Sequence, residues 1–357
     1  DYRWSQLTPQ SAYDVRASCH DHNNAKDLLH LARLAWAIEK TDVAKRLLDR
    51  AVKIDPSLKD DADKILASKS GTPATTQPSD AVTKLYLPAT PEQKEAAIAR
   101  AKLMAKKISA EVGVQFTEIQ TDHFILFTDW DPREFDFLKD CLEQAYTKVC
   151  VPFAISPKDN VFVGKLPVFM YAKRDDFNKH SQQIDHNPPA EDIRGYYAQF
   201  SNGRGYLVMW KPVADSETPL LIAEKQWAHT LTHEFVHAFV ARYHNNGRIP
   251  VWLNEGLAEF IANDVYLRPG SNEWARFHAL HTPDISDLFD DSSHKRGDLY
   301  PVMETMVATL IQQNRIAFVQ MFNTIKDGMP AEQALQQFYG IDYKGLDKAW
   351  RQTALSH

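Results

Sequence analysis

No apolar run in this chain approaches the roughly twenty residues that a membrane-spanning helix needs, and no block of basic residues interrupts its mixed charge. The first absence argues against a transmembrane helix. The second, with 41 Lys and Arg against 47 Asp and Glu and a formal net charge of -6, argues against nucleic acid or an anionic membrane surface as the partner. Cysteine is scarce and odd in number: Cys19, Cys141 and Cys150. Cys141 and Cys150 bound one predicted helix and stand nine residues apart, about 13.5 Å along its axis, too far to bridge directly. Cys19 could pair with one of them across domains, but buried free thiols fit as well, so the redox compartment stays open. The chain opens at Asp1 with neither a Met nor an apolar targeting segment, which reads as a processed or trimmed start. At 357 residues it can bury a large core, and two or three subdomains are expected.

Chemistry is concentrated in His233-Glu234-Phe235-Val236-His237 and in Trp252-Leu253-Asn254-Glu255-Gly256-Leu257-Ala258-Glu259-Phe260. The first segment is HExxH. On a helix, positions i and i+4 share one face a turn apart, so His233 and His237 can take two corners of a zinc tetrahedron. Glu255 offers a third, anionic ligand and leaves a fourth position open, as a catalytic zinc site requires. Glu234, between the histidines, is placed to act as general base toward a reacting water. Thr230-Leu231-Thr232 and Phe235 to Val240 surround these groups with apolar residues. That context implies a mostly buried helix in which two histidines and a glutamate need a strong partner such as a metal.

Together the two segments resemble the gluzincin metallopeptidases, in which zinc is held by the two His of HExxH and a Glu from a following helix. Within that clan the chain is most similar to the bacterial peptidase MA-like proteins. Further segments carry the likeness: Thr121-Asp122-His123-Phe124-Ile125-Leu126-Phe127 and Lys165 to Tyr171 as core strands, Tyr300-Pro301 as the start of a helix, and Gly328 to Trp350 as closing helices. It covers roughly residues 112–355. The resemblance implies one Zn2+ per chain on His233, His237 and Glu255, favours Glu255 over Glu259 as third ligand, and makes Glu259 the carboxylate that orients a ligand histidine. It also offers Tyr300 as the donor that stabilises the oxyanion, beside the plain alternative of a tyrosine packed at a helix start. It leans toward an exported or periplasmic enzyme. Two departures separate this chain from the large aminopeptidases of the clan. The interval from His237 to Glu255 is one residue shorter, so the connecting loop must be tighter. No GxMEN-type segment is present to anchor a free amino terminus, so an endopeptidase is expected rather than an aminopeptidase.

Other polar residues read as ordinary. His229 is expected on a helix face, His123 and His294 in solvent, and Asn254 as a helix cap. Residues 194–200 and 205–210 are β-prone and flank Ser201-Asn202-Gly203-Arg204, a strong hairpin signal. In the resembled clan the strand before the zinc helix is a sheet edge above the cleft, to which an extended peptide could add through backbone hydrogen bonds.

The regions divide as a 1–70 helical accessory region, a 71–90 linker, a 91–270 zinc peptidase core and a 271–357 helical subdomain. Residues 24–69 resemble a single tetratricopeptide-type hairpin with Leu28, Leu31, Ala32, Ala35, Ala44, Leu48 and Ala51 inside, a possible surface for a protein partner. The stretch 68–79 is polar and proline-punctuated. Strands are expected over 112–127, 165–171 and 194–210, with a helix near 132–150. The zinc helices fall at about 220–243 and 252–264, and further helices at 300–313, 315–327, 330–338 and 343–355. This order predicts an α+β fold, which by resemblance is a thermolysin-like gluzincin core with a helical C-terminal subdomain. A zinc-dependent hydrolase of peptide bonds is the leading expectation. The alternative is a protein-interaction module with a vestigial metal site, against which the retained Glu234 argues. Hydrolysis of a non-peptide amide would use the same site.

Overall fold

The computed structural model describes residues 24–37, 40–67, 89–190, 193–200, 204–211, 220–266, 270–290 and 297–356. Cys19, His294 and the stretch 68–79 lie outside them. The chain divides into two compact units, 1–81 and 82–357. In the first, α1 (Ala25–Ala37) and α2 (Thr41–Ile54) pack through Leu28, Ala32, Leu48 and Ala51, and α3 (Lys59–Ala67) adds Ala62 and Ile65 to the same cluster.

The second unit begins with α4 (Pro91–Val112). Thr90 and Gln93 form a capping box at its start, and Gly113, at φ 81°, closes it. That stop lets the chain turn into the strands expected over 112–127. β1 (Thr117–Gln120) pairs antiparallel with β2 (Phe124–Thr128), and the Thr121 hydroxyl accepts from the Phe124 amide at 3.1 Å to hold the turn between them. His123, expected in solvent, is buried in that turn. Its Nδ1 lies 2.6 Å from Glu143 Oε2, and its ring stacks on Tyr146. Glu143 and Tyr146 stand on α5 (Phe135–Phe153), too distant in sequence for a local reading to pair them with the turn.

One mixed sheet follows the order β1-β2-β3-β5-β4, where β3 is Leu166–Tyr171, β4 Gly195–Gln199 and β5 Gly205–Trp210. β2, β3 and β5 run parallel, and antiparallel pairs close both edges. Alternate residues face opposite cores. Phe124, Leu126, Val168, Met170, Leu207 and Met209 join the main core, while Ile125, Phe127, Phe169, Tyr171, Tyr206 and Val208 pack with α4 and with Phe177 of α6 (Arg174–Lys179). Both faces are covered, which is why the central strands are continuously apolar. The hairpin read at 194–210 is present, but β5, which precedes the helix carrying HExxH, is internal. β3 pairs along its other side, so β4 is the strand at the sheet edge.

Helix α7 (Leu220–Arg242) is buried on nearly every side, and Trp227 Nε1 donates to the Trp210 carbonyl at 3.0 Å, fixing it to the end of β5. A short loop joins it to α8 (Val251–Val265). There Asn245 Oδ1 accepts from the Gly247 amide at 2.7 Å, and Asn245 Nδ2 donates to Asp327 Oδ1 at 2.8 Å. Pro250 is the residue before α8, so Asn254 stands inside the helix and is not its cap.

The remaining helices are α9 (Ser271–His281), α10 (Tyr300–Gln313), α11 (Arg315–Lys326), α12 (Ala331–Tyr339) and α13 (Tyr343–Ser356). The main core continues through them to Ala354. Arg351 of α13 donates to the carbonyls of Ala279 at 2.9 Å and Thr282 at 2.7 Å, satisfying the end of α9. Mixed helix and sheet, with every described strand upstream of α7, is compatible with the α+β expectation.

α8 and α10 pack tightly at Gly256, where a Cβ would come 2.3 Å from the Met303 carbonyl oxygen. Backbone, not a flexible side chain, fills that space. Gly256→Ala is therefore expected to cost about 1–3 kcal/mol through overpacking. Denaturant melts of the two proteins check this, and equal midpoints would refute the close approach.

Candidate metal centre

Helical periodicity brings three polar ladders together. His229, His233 and His237 recur every fourth residue on α7, Glu255, Glu259 and Asn263 on α8, and Tyr300 and Glu304 on α10. At the open end of these ladders, His233 Nε2 lies 3.1 Å from His237 Nε2 and 3.3 Å from Glu255 Oε2, and His237 Nε2 lies 3.6 Å from that oxygen. Three donors bonded to one tetrahedral zinc at 2.0–2.1 Å stand about 3.3 Å apart, so the spacing fits the ion. His233, His237 and Glu255 are the metal-capable cluster among the described residues.

The electrostatics point the same way. Burial works against a proton on His233, but hydrogen bonds to Glu255 and Glu259, with the charge of Glu234, push its pKa up to about 10. Burial also opposes charge on Glu255 and Glu259, yet the facing histidines hold both well below the usual carboxylate range. Buried Glu259 and half-buried Glu255 thus face the two ring nitrogens of His233, and a divalent cation would be stabilised by their charge.

Glu234 is arranged differently. Burial raises its carboxyl pKa above the ordinary value, against the pull of both histidines, and one oxygen accepts from the Tyr197 amide at 3.2 Å. Tyr197 belongs to the edge strand β4, so the sheet edge and the candidate base touch. The Tyr300 ring lies 6.0 Å from that of His233, placed by the first turn of α10. Asn254 Oδ1 is buried, with no hydrogen-bond partner among the described residues.

These side chains lie on α7, α8 and α10, and the family comparison covers the same stretch. Residues 220–356 match the Peptidase MA superfamily. The match starts at the first residue of α7 and contains all three ladders, while the sheet lies before it. No curated protein and no solved structure matches the chain. The Peptidase MA match points to a metallopeptidase-like hydrolase, whose substrates are peptides or proteins. No described helix is long and apolar enough to cross a membrane.

Beyond Glu259 as an orienting carboxylate, which the resemblance implies, three features of this centre lay outside the sequence reading. The first is a buried chain behind His233. Glu259 Oε1 lies 3.0 Å from His233 Nδ1, and Glu259 Oε2 3.5 Å from His229 Nε2. His229 is 3.1 Å from Asn263 Oδ1, Asn263 lies beside Glu304, and Ser271 donates to Glu304 Oε2 at 3.0 Å. His229 is thus a buried neighbour of Glu259 rather than an ordinary helix-face histidine, and its four-residue interval from His233 was the available signal. The second is the Tyr197 amide, which sequence spacing could not place. The third is Asp185 behind the edge strand. Tyr196 of β4 donates to its Oδ2 at 2.6 Å, Tyr206 of β5 donates to its Oδ1, and His180 Nε2 lies 3.4 Å away. One carboxylate therefore ties both arms of the hairpin from the face opposite Glu234.

Burial raises the Asp185 carboxyl pKa, but hydrogen bonds from His180, Tyr196 and Tyr206 outweigh it and leave the value below the ordinary 3.8. A carboxyl that titrates lower when folded stabilises the protein above its unfolded pKa. That contribution is lost as pH falls through the folded value. Asp185→Asn is expected to cost about 2 kcal/mol at pH 7, with the gap shrinking as acid protonates the wild-type carboxyl. Denaturant curves at pH 7 and across the range below pH 4 test this, and a gap that stays constant with pH would rule out the charged clamp.

Proposed function

We propose that this chain is a zinc-dependent metallopeptidase that cleaves within peptide chains, with His233, His237 and Glu255 holding the ion. The convergence of those three donor atoms beside Glu234, which the sheet edge anchors, carries the reading. When bound, zinc polarises the scissile carbonyl and lowers the pKa of water toward neutrality.

The protein's own groups supply the rest. Glu234 takes a proton from the attacking water and returns it to the leaving nitrogen. A carboxyl raised by burial suits both halves of that transfer near neutral pH. The Tyr197 amide fixes one of its oxygens and leaves the other to face the reacting groups. Glu259 orients His233 through Nδ1 and so fixes which ring nitrogen faces the ion. Tyr300, at the start of α10, donates its hydroxyl to the oxyanion. The outer edge of β4 receives an extended substrate by backbone pairing, which by itself sets little side-chain preference. The absence of an amino-terminal anchor of the GxMEN type favours internal cleavage. The helical pair of the 1–81 unit serves as an accessory surface for a protein partner, in keeping with its tetratricopeptide likeness.

Two variants test the assignment on unstructured protein and a mixed peptide library, with zinc measured alongside. Wild type and Glu234→Gln are each expected to retain one zinc per chain, with cleavage reduced about 10²–10⁴-fold in the variant. Tyr300→Phe is expected to lower kcat about 10²–10³-fold with little change in KM. Wild-type protein without zinc would overturn the metal assignment, and a Tyr300→Phe enzyme of full kcat would remove Tyr300 from the chemistry.

A further inference from the structure

A cavity of about 290 Å³ opens at the end of the β4–β5 hairpin. Met104 of α4, Phe162 and Phe200 form apolar walls, and Arg100, Lys165, Arg204 and Arg242 bring cationic groups to the same space. None of its described lining residues is acidic. Arg100 and Arg204 are exposed at the rim, whereas Arg242 is only 4% exposed. The Lys165 ammonium donates to the Thr121 carbonyl. Burial and the neighbouring Arg204 push the Arg242 guanidinium below its ordinary value, although Tyr197 acts the other way. Burial, with Arg242 nearby, likewise brings buried Lys326 down to about 7. Four cationic side chains and no described acidic one line this space, so an anion entering it would be stabilised.

Tyr197 links this space to the candidate base. Its amide donates to Glu234 Oε2, its side chain lines the cavity, and its buried hydroxyl has no hydrogen-bond partner among the described residues. A buried donor left unpaired costs free energy that an acceptor in the cavity would recover. Arg242 lies eight residues beyond Glu234 on α7, about 12 Å along the helix axis. An extended chain covers that span in three to four residues, at about 3.3 Å each. The cavity therefore sits where a peptide lying along β4 would place a residue a few positions from the bond facing Glu234.

We propose that this cavity is a substrate subsite for a carboxylate carried on an otherwise apolar peptide segment, two to four residues from the scissile bond. The carboxylate comes either from an acidic side chain or from the peptide's own carboxyl terminus. Arg204 and Arg100 at the rim attract it, Arg242 and the Tyr197 hydroxyl receive it, and the apolar walls pack the adjoining chain. The inference rests on the peptidase reading and adds a specificity to it.

The test uses matched peptides carrying Glu or Gln at each position around the cut bond, each made with a free carboxyl terminus and as the carboxamide. Cleavage is read as kcat/KM, and binding is measured by calorimetry in parallel. Wild type is expected to favour one carboxylate form about tenfold or more, a usual size for a charge-assisted hydrogen bond. In Arg204→Glu, and separately in Arg100→Glu, that ratio is expected to fall toward one. Ratios within a single protein cancel any general loss of activity from altered folding. A Glu-over-Gln effect identifies a side-chain carboxylate, and a free-acid-over-amide effect the terminal one. Ratios near one in both cleavage and binding would overturn the subsite while leaving a peptidase intact. Tighter binding of the carboxylate form that Arg204→Glu abolishes, with nothing cleaved, would support the subsite and overturn the peptidase reading.

Discussion

The contact between α8 and α10 at Gly256 is the constraint on which the metal centre depends. A residue every fourth position gives each helix only a polar stripe, and stripes become a cluster only when the helix backbones come close. At Gly256 nothing stands between α8 and the Met303 carbonyl. Glu255 immediately precedes that point on α8, while Tyr300 and Glu304 flank it on α10. Around the polar groups, Leu257, Ile261, Met303, Met306 and Val307 are buried, each contributing about 1.5–3 kcal/mol of apolar burial. That burial offsets the cost of taking the carboxylates out of water, which their own pairing does not fully repay.

Charge falls off outward from the centre. Glu255 and Glu259 are held ionised by the histidines they face, and Glu259 hands its second oxygen to His229. Farther along the chain, burial pushes the Glu304 carboxyl up, against hydrogen bonds from Asn263 and Ser271. The carboxyls held lowest thus stand at Glu255 and Glu259, which face the histidines, where a divalent ion would be stabilised. Glu234 stands apart with a raised pKa, consistent with a group that exchanges a proton rather than binds a cation.

What the sequence made legible followed from local rules. α10 begins at Tyr300 with Pro301 in its first turn, α11 opens behind an Asn314 cap, and α12 ends at Gly340 in the left-handed region, so periodicity and caps set their limits closely. Local rules failed where a distant partner decided the outcome. His123 looked exposed because Glu143, twenty residues on, is its partner. Asn254 looked like a cap because its residue type favours caps, but the helix starts behind Pro250. β5 looked like an edge because it precedes α7, whereas β3, far earlier in the chain, pairs with its other side. The two His and Glu255 were legible because one motif and one short interval carry them. The chain from Glu259 to Ser271 was half-legible, since its members keep helical spacing but cross three helices. The cationic cavity was not legible, because its arginines come from α4, the hairpin and the end of α7.

Edge strand β4 joins these parts, and strand alternation makes it a precise joint. Tyr196 points to one face, where its hydroxyl reaches Asp185, and Tyr197 packs against the main core on the other. A slip of one residue would exchange the two rings and empty the Asp185 clamp. It would also move the Tyr197 amide away from Glu234. Asp185 therefore does more than stabilise the back of the sheet. By holding Tyr196 and Tyr206 together it sets the register that presents an amide to the base, and the strand's outer edge to whatever pairs with it. Specificity in such a site can come from groups that never touch the reacting bond, provided the strand that positions the substrate is itself held in a single register.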